Sequence, residues 1–168
     1  QAEVFSELKG LVQSAIDGYN VLVMACGATG SGKTYTMHGA TGSEGRGVSP
    51  RVVDELFLIR ERDDWRASLD IDVQVVVVHD ARRMADILGG LGSGESPFVQ
   101  VRLQRAAGAG SSAAEESAVV LEGASTRRVA GHQELKTILK EAYQTVAKAA
   151  KPLHLLVFLH LTRSNRAT

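Results

Sequence analysis

A single cysteine, Cys26, carries all the thiol chemistry of this chain, so no intrachain disulfide can form and no cysteine pair is available for zinc. That scarcity predicts a reducing compartment. Net charge is absent too. Nineteen basic and nineteen acidic residues cancel, which removes any global field that would drive the chain onto nucleic acid or a lipid surface. No apolar run approaches the roughly 18 to 20 residues that a membrane span needs, and no signal peptide is visible at the first residue. The five histidines, His38, His79, His132, His154 and His160, lack metal-ligand spacing; His154 and His160 read as packing or surface groups on one strand. These absences predict a cytoplasmic or cytoskeletal protein with neither nucleic acid nor membrane as partner. The start at Gln1 rather than methionine predicts a piece of a longer chain.

What is present is enough for one core. With 168 residues and 44% hydrophobic content, residues 1–168 are expected to form a single domain, too short for two. Phe5, Leu8, Leu11, Val12, Ala15 and Ile16 fall at helical spacing, and Asp17-Gly18-Tyr19-Asn20 supplies turn chemistry that ends the helix. The apolar run from Val21 then predicts a strand to Cys26.

Directly after it, Gly27-Ala28-Thr29-Gly30-Ser31-Gly32-Lys33-Thr34 is a complete G-x-x-x-x-G-K-T phosphate-binding loop, with helix-compatible residues from Lys33 to about His38. Glycines let successive N–H groups turn inward around phosphates. Lys33 would reach the β and γ phosphates, and the Thr34 hydroxyl would hold Mg²⁺. The expected ligands are therefore ATP or ADP with Mg²⁺.

Further along, Gly39 to Gly47 reads as a loop, and Pro50 suits the first turn of a helix to about Glu61. Ile71 to His79, almost all Val and Ile, predicts a strand covered on both faces. Ala81 to Leu88 reads as a short helix ended by Gly89-Gly90. Phe98 to Leu103 and Ala118 to Leu121 read as strands joined by the Gly/Ala/Ser-rich turn Ala106 to Ser117. Gln133 to Ala150 is the longest helical pattern, with Leu135, Ile138, Leu139, Tyr143 and Val146 on one face, and His154 to Thr162 reads as another buried strand. The order predicts a three-layer α/β fold, a mostly parallel or mixed sheet flanked by helices, with ligand at the carboxyl edge of the sheet.

Three linked motifs carry a family resemblance: Leu11 to Val21 with Gln13-Ser14-Ala15 before Asp17-Gly18-Tyr19-Asn20, then Gly27 to Met37, then Gly47-Val48-Ser49-Pro50-Arg51. Together they resemble the kinesin motor domain, with a lean toward the C-terminal-motor, kinesin-14 type. The resemblance covers almost the whole chain, from the first helix of the motor to the strand after its first switch. It implies a P-loop NTPase of kinesin type with Gly27, Ala28, Thr29, Gly30, Ser31, Gly32, Lys33, Thr34 and Tyr35 as the nucleotide-binding set and Thr34 on Mg²⁺. It also implies that Ala40 to Arg46 is the loop interrupting the second helix and that Ala106 to Ser117 is a hairpin tip facing the microtubule. Arg102, Arg105, Arg127 and Arg128 lie around that hairpin, where they would meet acidic tubulin or remain solvated.

Departures from the family pattern bear on mechanism. Tyr-Gly-Gln before the first Thr of the loop is replaced by Cys26-Gly27-Ala28, and Glu-Ile-Tyr-Asn-Glu by Val78-His79-Asp80-Ala81-Arg82, although Asp86-Ile87-Leu88 keeps the end of that motif. The first switch, Ser-Ser-Arg-Ser-His in the family, falls on Ala150-Lys151-Pro152-Leu153-His154, so its serines and arginine are missing. The second switch falls beyond Thr168. Phosphoryl transfer depends on positioned water and stabilised charge, so such a site is expected to bind nucleotide and turn it over weakly or not at all. The expected function is a divergent microtubule-associated domain in a microtubule or axonemal assembly, with tubulin and a second kinesin-like chain or axonemal proteins as partners. Two alternatives stand beside it: an active ATP-driven motor of which this is a part, and a P-loop kinase or ATPase outside the family.

Overall fold

The computed structural model describes residues 1–40, 45–80, 83–90, 98–105, 117–149 and 153–166. In chain order the elements are α1 (Ala2–Ile16), α2 (Lys33–Met37), α3 (Val48–Asp63), β1 (Ala67–Asp80), β2 (Arg83–Asp86), α4 (Ile87–Gly90), β3 (Phe98–Arg105), β4 (Ser117–Glu122), β5 (Arg127–Arg128), α5 (His132–Ala147) and β6 (His154–Asn165). Backbone contacts divide them into two units. The first comprises Gln1–Asp72, Arg128–Gln144 and Leu159–Thr168; the second comprises Val73–Arg127 and Thr145–Phe158.

In the first unit, α1 and α3 bury the apolar stripes read from the sequence. Val12 and Ile16 are buried on α1, and Val53, Leu56, Phe57 and Ile59 on α3. The two helices pack together, with Lys9 paired to Glu55 at 3.2 Å. Pro50 sits in the first turn of α3, where a missing N–H leaves no helical bond unmade. Leu135, Ile138, Leu139 and Ala142 form the buried stripe of α5. The early part of β1 alternates buried Ala67, Leu69 and Ile71 with half-buried Ser68, Asp70 and Asp72, the pattern of a strand with one covered face.

In the second unit, β1 continues into Val75, Val76 and Val77, three consecutive buried residues, so here both faces are covered as the Val-rich run predicts. The pairings β1–β2, β2–β3 and β3–β4 are antiparallel, which a mixed sheet accommodates. The β3–β4 hairpin pairs Gln100 with Glu122 through to Arg105 with Ser117. Its expected tip, residues 106–116, lies outside the described residues.

Three local expectations are corrected. Val21–Cys26 forms no strand among the described residues: an apolar run supplies strand propensity, but a strand also needs a neighbour for its N–H and C=O groups. Leu22 and Met24 are exposed at 82% and 70%. Arg83 to Asp86, expected as helix, is strand β2, because the chain reverses at Asp80, whose carboxylate accepts the Arg83 N–H at 3.1 Å and its Nε–H at 2.7 Å. That turn sets Met84 opposite Val78, Ala85 opposite Val77 and Asp86 opposite Val76. Finally, β6 is half-buried to exposed along its length rather than buried; β1 is its one partner strand among the described residues. No helix among those residues is long and apolar enough to cross a membrane.

Candidate functional site: the phosphate loop and its supports

The loop motif folds as an irregular segment leading into α2. Gly27 has φ of +149°, a conformation that side chains rarely adopt, and a Cβ placed there would press on the Ser31 side chain. Gly32, with φ of +88°, takes the left-handed conformation from which α2 starts. Ser31 N–H donates to the Ala28 carbonyl at 3.2 Å, and Thr36 N–H to the Gly32 carbonyl at 2.8 Å. The ammonium of Lys33 folds back over the loop and donates to the carbonyls of Gly27 at 2.9 Å and Ala28 at 2.6 Å. Lys33 thus stands at the centre of the turn formed by Gly27 to Gly32, while Thr34 and Tyr35 on α2 are exposed.

This geometry fits a polyphosphate with Mg²⁺. A glycine with positive φ at Gly27, a lysine ammonium over the loop and an exposed threonine hydroxyl one residue later are the features such a group requires. Thr34 is the residue that would hold Mg²⁺. Of the nine residues expected from sequence, Gly27 to Lys33 form one compact turn, with Thr34 at its rim. Tyr35 is half-exposed, and its backbone carbonyl accepts from the Gln1 side chain.

The far end of α2 is anchored by residues that the sequence analysis did not place in the site. His38 caps α2 and stacks on the ring of Tyr143 from α5, with centroids 4.4 Å apart and planes 28° from parallel. The Tyr143 hydroxyl lies 3.0 Å from Ser49 Oγ on α3. The Gly47 N–H closes the loop after α2 by donating to the His38 carbonyl at 3.0 Å. Burial, then the positive charge of Lys140, hold the His38 imidazole below its ordinary value. Burial pushes the Tyr143 phenol up, against the bond from Ser49. A tyrosine on an otherwise apolar helix face was the available signal, since a buried phenol requires a polar partner.

Next to this anchor, the Asp54 carboxylate lies between Arg46 and Lys136, an ion pair to each. Arg46 also donates to the Pro50 carbonyl at 3.4 Å, and its own carbonyl accepts from Arg51 Nε at 3.0 Å. The loop after α2 is therefore tied to α3 and α5 by charge as well as by ring stacking.

Of the four arginines assigned to the hairpin, Arg128 is engaged elsewhere. Its guanidinium donates to both oxygens of Asp72 at 3.0 Å and to Asp70 at 3.1 Å. The Arg128 hydrogen bond holds the Asp72 carboxyl below its usual range. Arg127 is exposed on β5, and the side chains of Arg102 and Arg105 lie outside the described residues. Of the segment set against the first switch, residues 150–152 are outside the described residues, and His154 is the exposed first residue of β6.

A sequence profile described as the kinesin motor domain matches residues 1–153. Among curated proteins, the chain is 43% identical over 93 residues to kinesin-like protein KIN-14O of Arabidopsis thaliana, covering 54% of this chain and 8% of that protein. It is 44% identical over 79 residues to kinesin-like protein KIN-14I of Oryza sativa subsp. japonica, covering 47% of this chain and 6% of that one. The chain thus spans less than a tenth of the length of these relatives. Among solved structures, the backbone superposes on a fast kinesin with a TM-score of 0.81 at 24% identity, covering 98% of this chain and 45% of that one. The motor domain of the Saccharomyces cerevisiae kinesin-related protein Kar3 gives 0.74 at 23% identity, covering 98% and 47%. Loop, helices and sheet in this order are the P-loop NTPase fold of those structures, and the chain belongs to the kinesin motor domain family.

Proposed function

We propose that this chain is a kinesin-14-type domain that binds ATP or ADP with Mg²⁺, associates with microtubules and turns nucleotide over weakly or not at all. The carrying observation is the loop itself: Gly27 closed against Ser31, with the Lys33 ammonium over the Gly27 and Ala28 carbonyls. On nucleotide binding, Lys33 exchanges those carbonyls for phosphate oxygens, and loop N–H groups orient the phosphates. Bound Mg²⁺ would supply charge neutralisation at the phosphates, with Thr34 as its protein ligand.

Weak turnover follows from the composition of the segment set against the first switch of the family. Six residues, 148–153, join α5 to β6, and none is serine, threonine or arginine. Without a hydroxyl to orient water or a guanidinium to meet the developing charge, catalysis loses the positioning on which phosphoryl transfer rests. Tubulin as partner, a second kinesin-like or axonemal chain beside it, and a place in the cytoskeleton or an axoneme belong to the same reading, which family membership supports.

The test is thermal unfolding with and without Mg²⁺ and ADP, alongside ATP turnover with and without microtubules. Ligand at about 100 times its dissociation constant adds roughly 2.7 kcal/mol of stability. Lys33→Ala removes most of that gain. An unchanged melting shift in Lys33→Ala defeats the nucleotide reading, and turnover stimulated by microtubules shows an active motor instead.

A further inference from the structure

We propose that His38 is a positioning residue for the nucleotide loop, holding α2 in place through its stack on Tyr143 and, through the Tyr143 hydroxyl, on Ser49. The inference rests on the nucleotide reading above and adds a residue outside the loop motif. α2 is only five residues long and has no buried residue of its own, so hydrophobic burial does not fix its direction. Its amino end is the loop, and its carboxyl end is His38, whose N–H donates to the Thr34 carbonyl at 2.8 Å.

The imidazole is the one α2-terminal side chain with an aromatic contact among the described residues, and it meets a ring on α5 rather than a neighbour in sequence. Tyr143 is itself held at both ends. Its ring carries the His38 stack, and its hydroxyl reaches Ser49 Oγ at 3.0 Å in the first turn of α3. Movement of α2 away from α5 therefore breaks the stack. The Lys33 ammonium and the Thr34 hydroxyl ride on the same short helix, so their placement follows His38.

An aromatic pair of this geometry sets the expected loss on truncation at about two- to tenfold in affinity. The experiment measures binding of a fluorescent ADP derivative with Mg²⁺ to the chain and its His38→Ala, His38→Phe and Tyr143→Ala variants, with backbone hydrogen exchange of residues 34–39 read without nucleotide. His38→Ala and Tyr143→Ala should each weaken binding about two- to tenfold and lose protection over 34–39. His38→Phe, which keeps a ring for stacking, should restore both to within about twofold of the original chain. The double variant His38→Ala/Tyr143→Ala should be no weaker than Tyr143→Ala alone, because that change already removes the stack. Unchanged protection in His38→Ala, or a His38→Phe variant as weak as His38→Ala, overturns the proposal. If the unaltered chain binds no nucleotide, the nucleotide reading fails on its own, and the exchange result still decides whether His38 holds α2.

Discussion

Asp86 is fully buried and its carboxylate accepts three backbone N–H groups: Leu88 at 3.0 Å, Gly89 at 3.0 Å and Ser125 at 2.9 Å. Two of these donors belong to α4, which precedes the β3–β4 hairpin, and the third follows the hairpin, so one side chain ties both its ends. Asp86→Ala deletes all three acceptors. Bonds to a charged group contribute about 1.5–3 kcal/mol each, but Gly89 lies at the surface and regains water, which leaves two donors to set the loss. The expected cost is about 3–6 kcal/mol, a large share of the roughly 5–15 kcal/mol that stabilises a domain. With a urea slope of about 2 kcal/mol per molar, the unfolding midpoint falls by about 1.5–3 M. Asp86→Asn keeps one acceptor oxygen but turns an amide NH₂ toward N–H donors, so it falls between the two. Hydrogen exchange locates the effect, with protection lost first at Leu88, Gly89 and Ser125. A midpoint drop below about 0.5 M, or an Asp86→Asn variant equal to the original, refutes the assignment of Asp86 as the tie.

Other perturbations give equally definite outcomes. Thr34→Ala should abolish the Mg²⁺-dependent part of the ADP-induced melting shift and spare the part seen with chelator; loss of both parts together contradicts the role given to its hydroxyl. Gly27→Ala should cost about 1–2 kcal/mol from its positive φ alone, and removing the Ser31 side chain should restore only the portion due to contact, as read by thermal unfolding. For Asp72, the Arg128 bond lowers the folded carboxyl value, so the stability it contributes is present above the unfolded value near pH 3.9 and is lost as pH falls through the folded value. Arg128→Met should flatten that acid limb of the stability curve, and added salt should weaken the difference because the pair is exposed. An acid limb unchanged in Arg128→Met assigns the effect to other carboxylates.

The turn that the G-x-x-x-x-G-K-T motif forms was legible from sequence because its demands are local. Gly27 and Gly32 take positive φ and Lys33 follows at once, so eight consecutive residues carry the turn. Helices α1, α3 and α5 were legible for a similar reason: each repeats its apolar stripe over 15 or 16 residues, enough turns for the period to show. β2 was not, since four residues cannot display a period and its pairing is fixed by the Asp80–Arg83 turn. Val21–Cys26 has strand composition, yet pairing is a property of two segments and cannot be read from one.

The supports of the site were hidden by distance along the chain. His38 and Tyr143 are 105 positions apart, and Ser49 and Tyr143 are 94 apart. Neither histidine nor tyrosine announces such a partner locally. The same separation divides nucleotide binding from nucleotide hydrolysis. In the proposed reading, binding needs one contiguous loop and a short helix held in place, which lie between Gly27 and His38 with Tyr143 behind them. Hydrolysis needs hydroxyl and guanidinium groups brought to the phosphates from other segments, and weak turnover is proposed from the composition of 148–153, which holds lysine, alanine, proline and leucine. A chain can lose the second set and keep the first, because the hydrogen bonds of the loop, from Lys33 to Gly27 and Ala28 and from Ser31 to Ala28, lie within the loop itself.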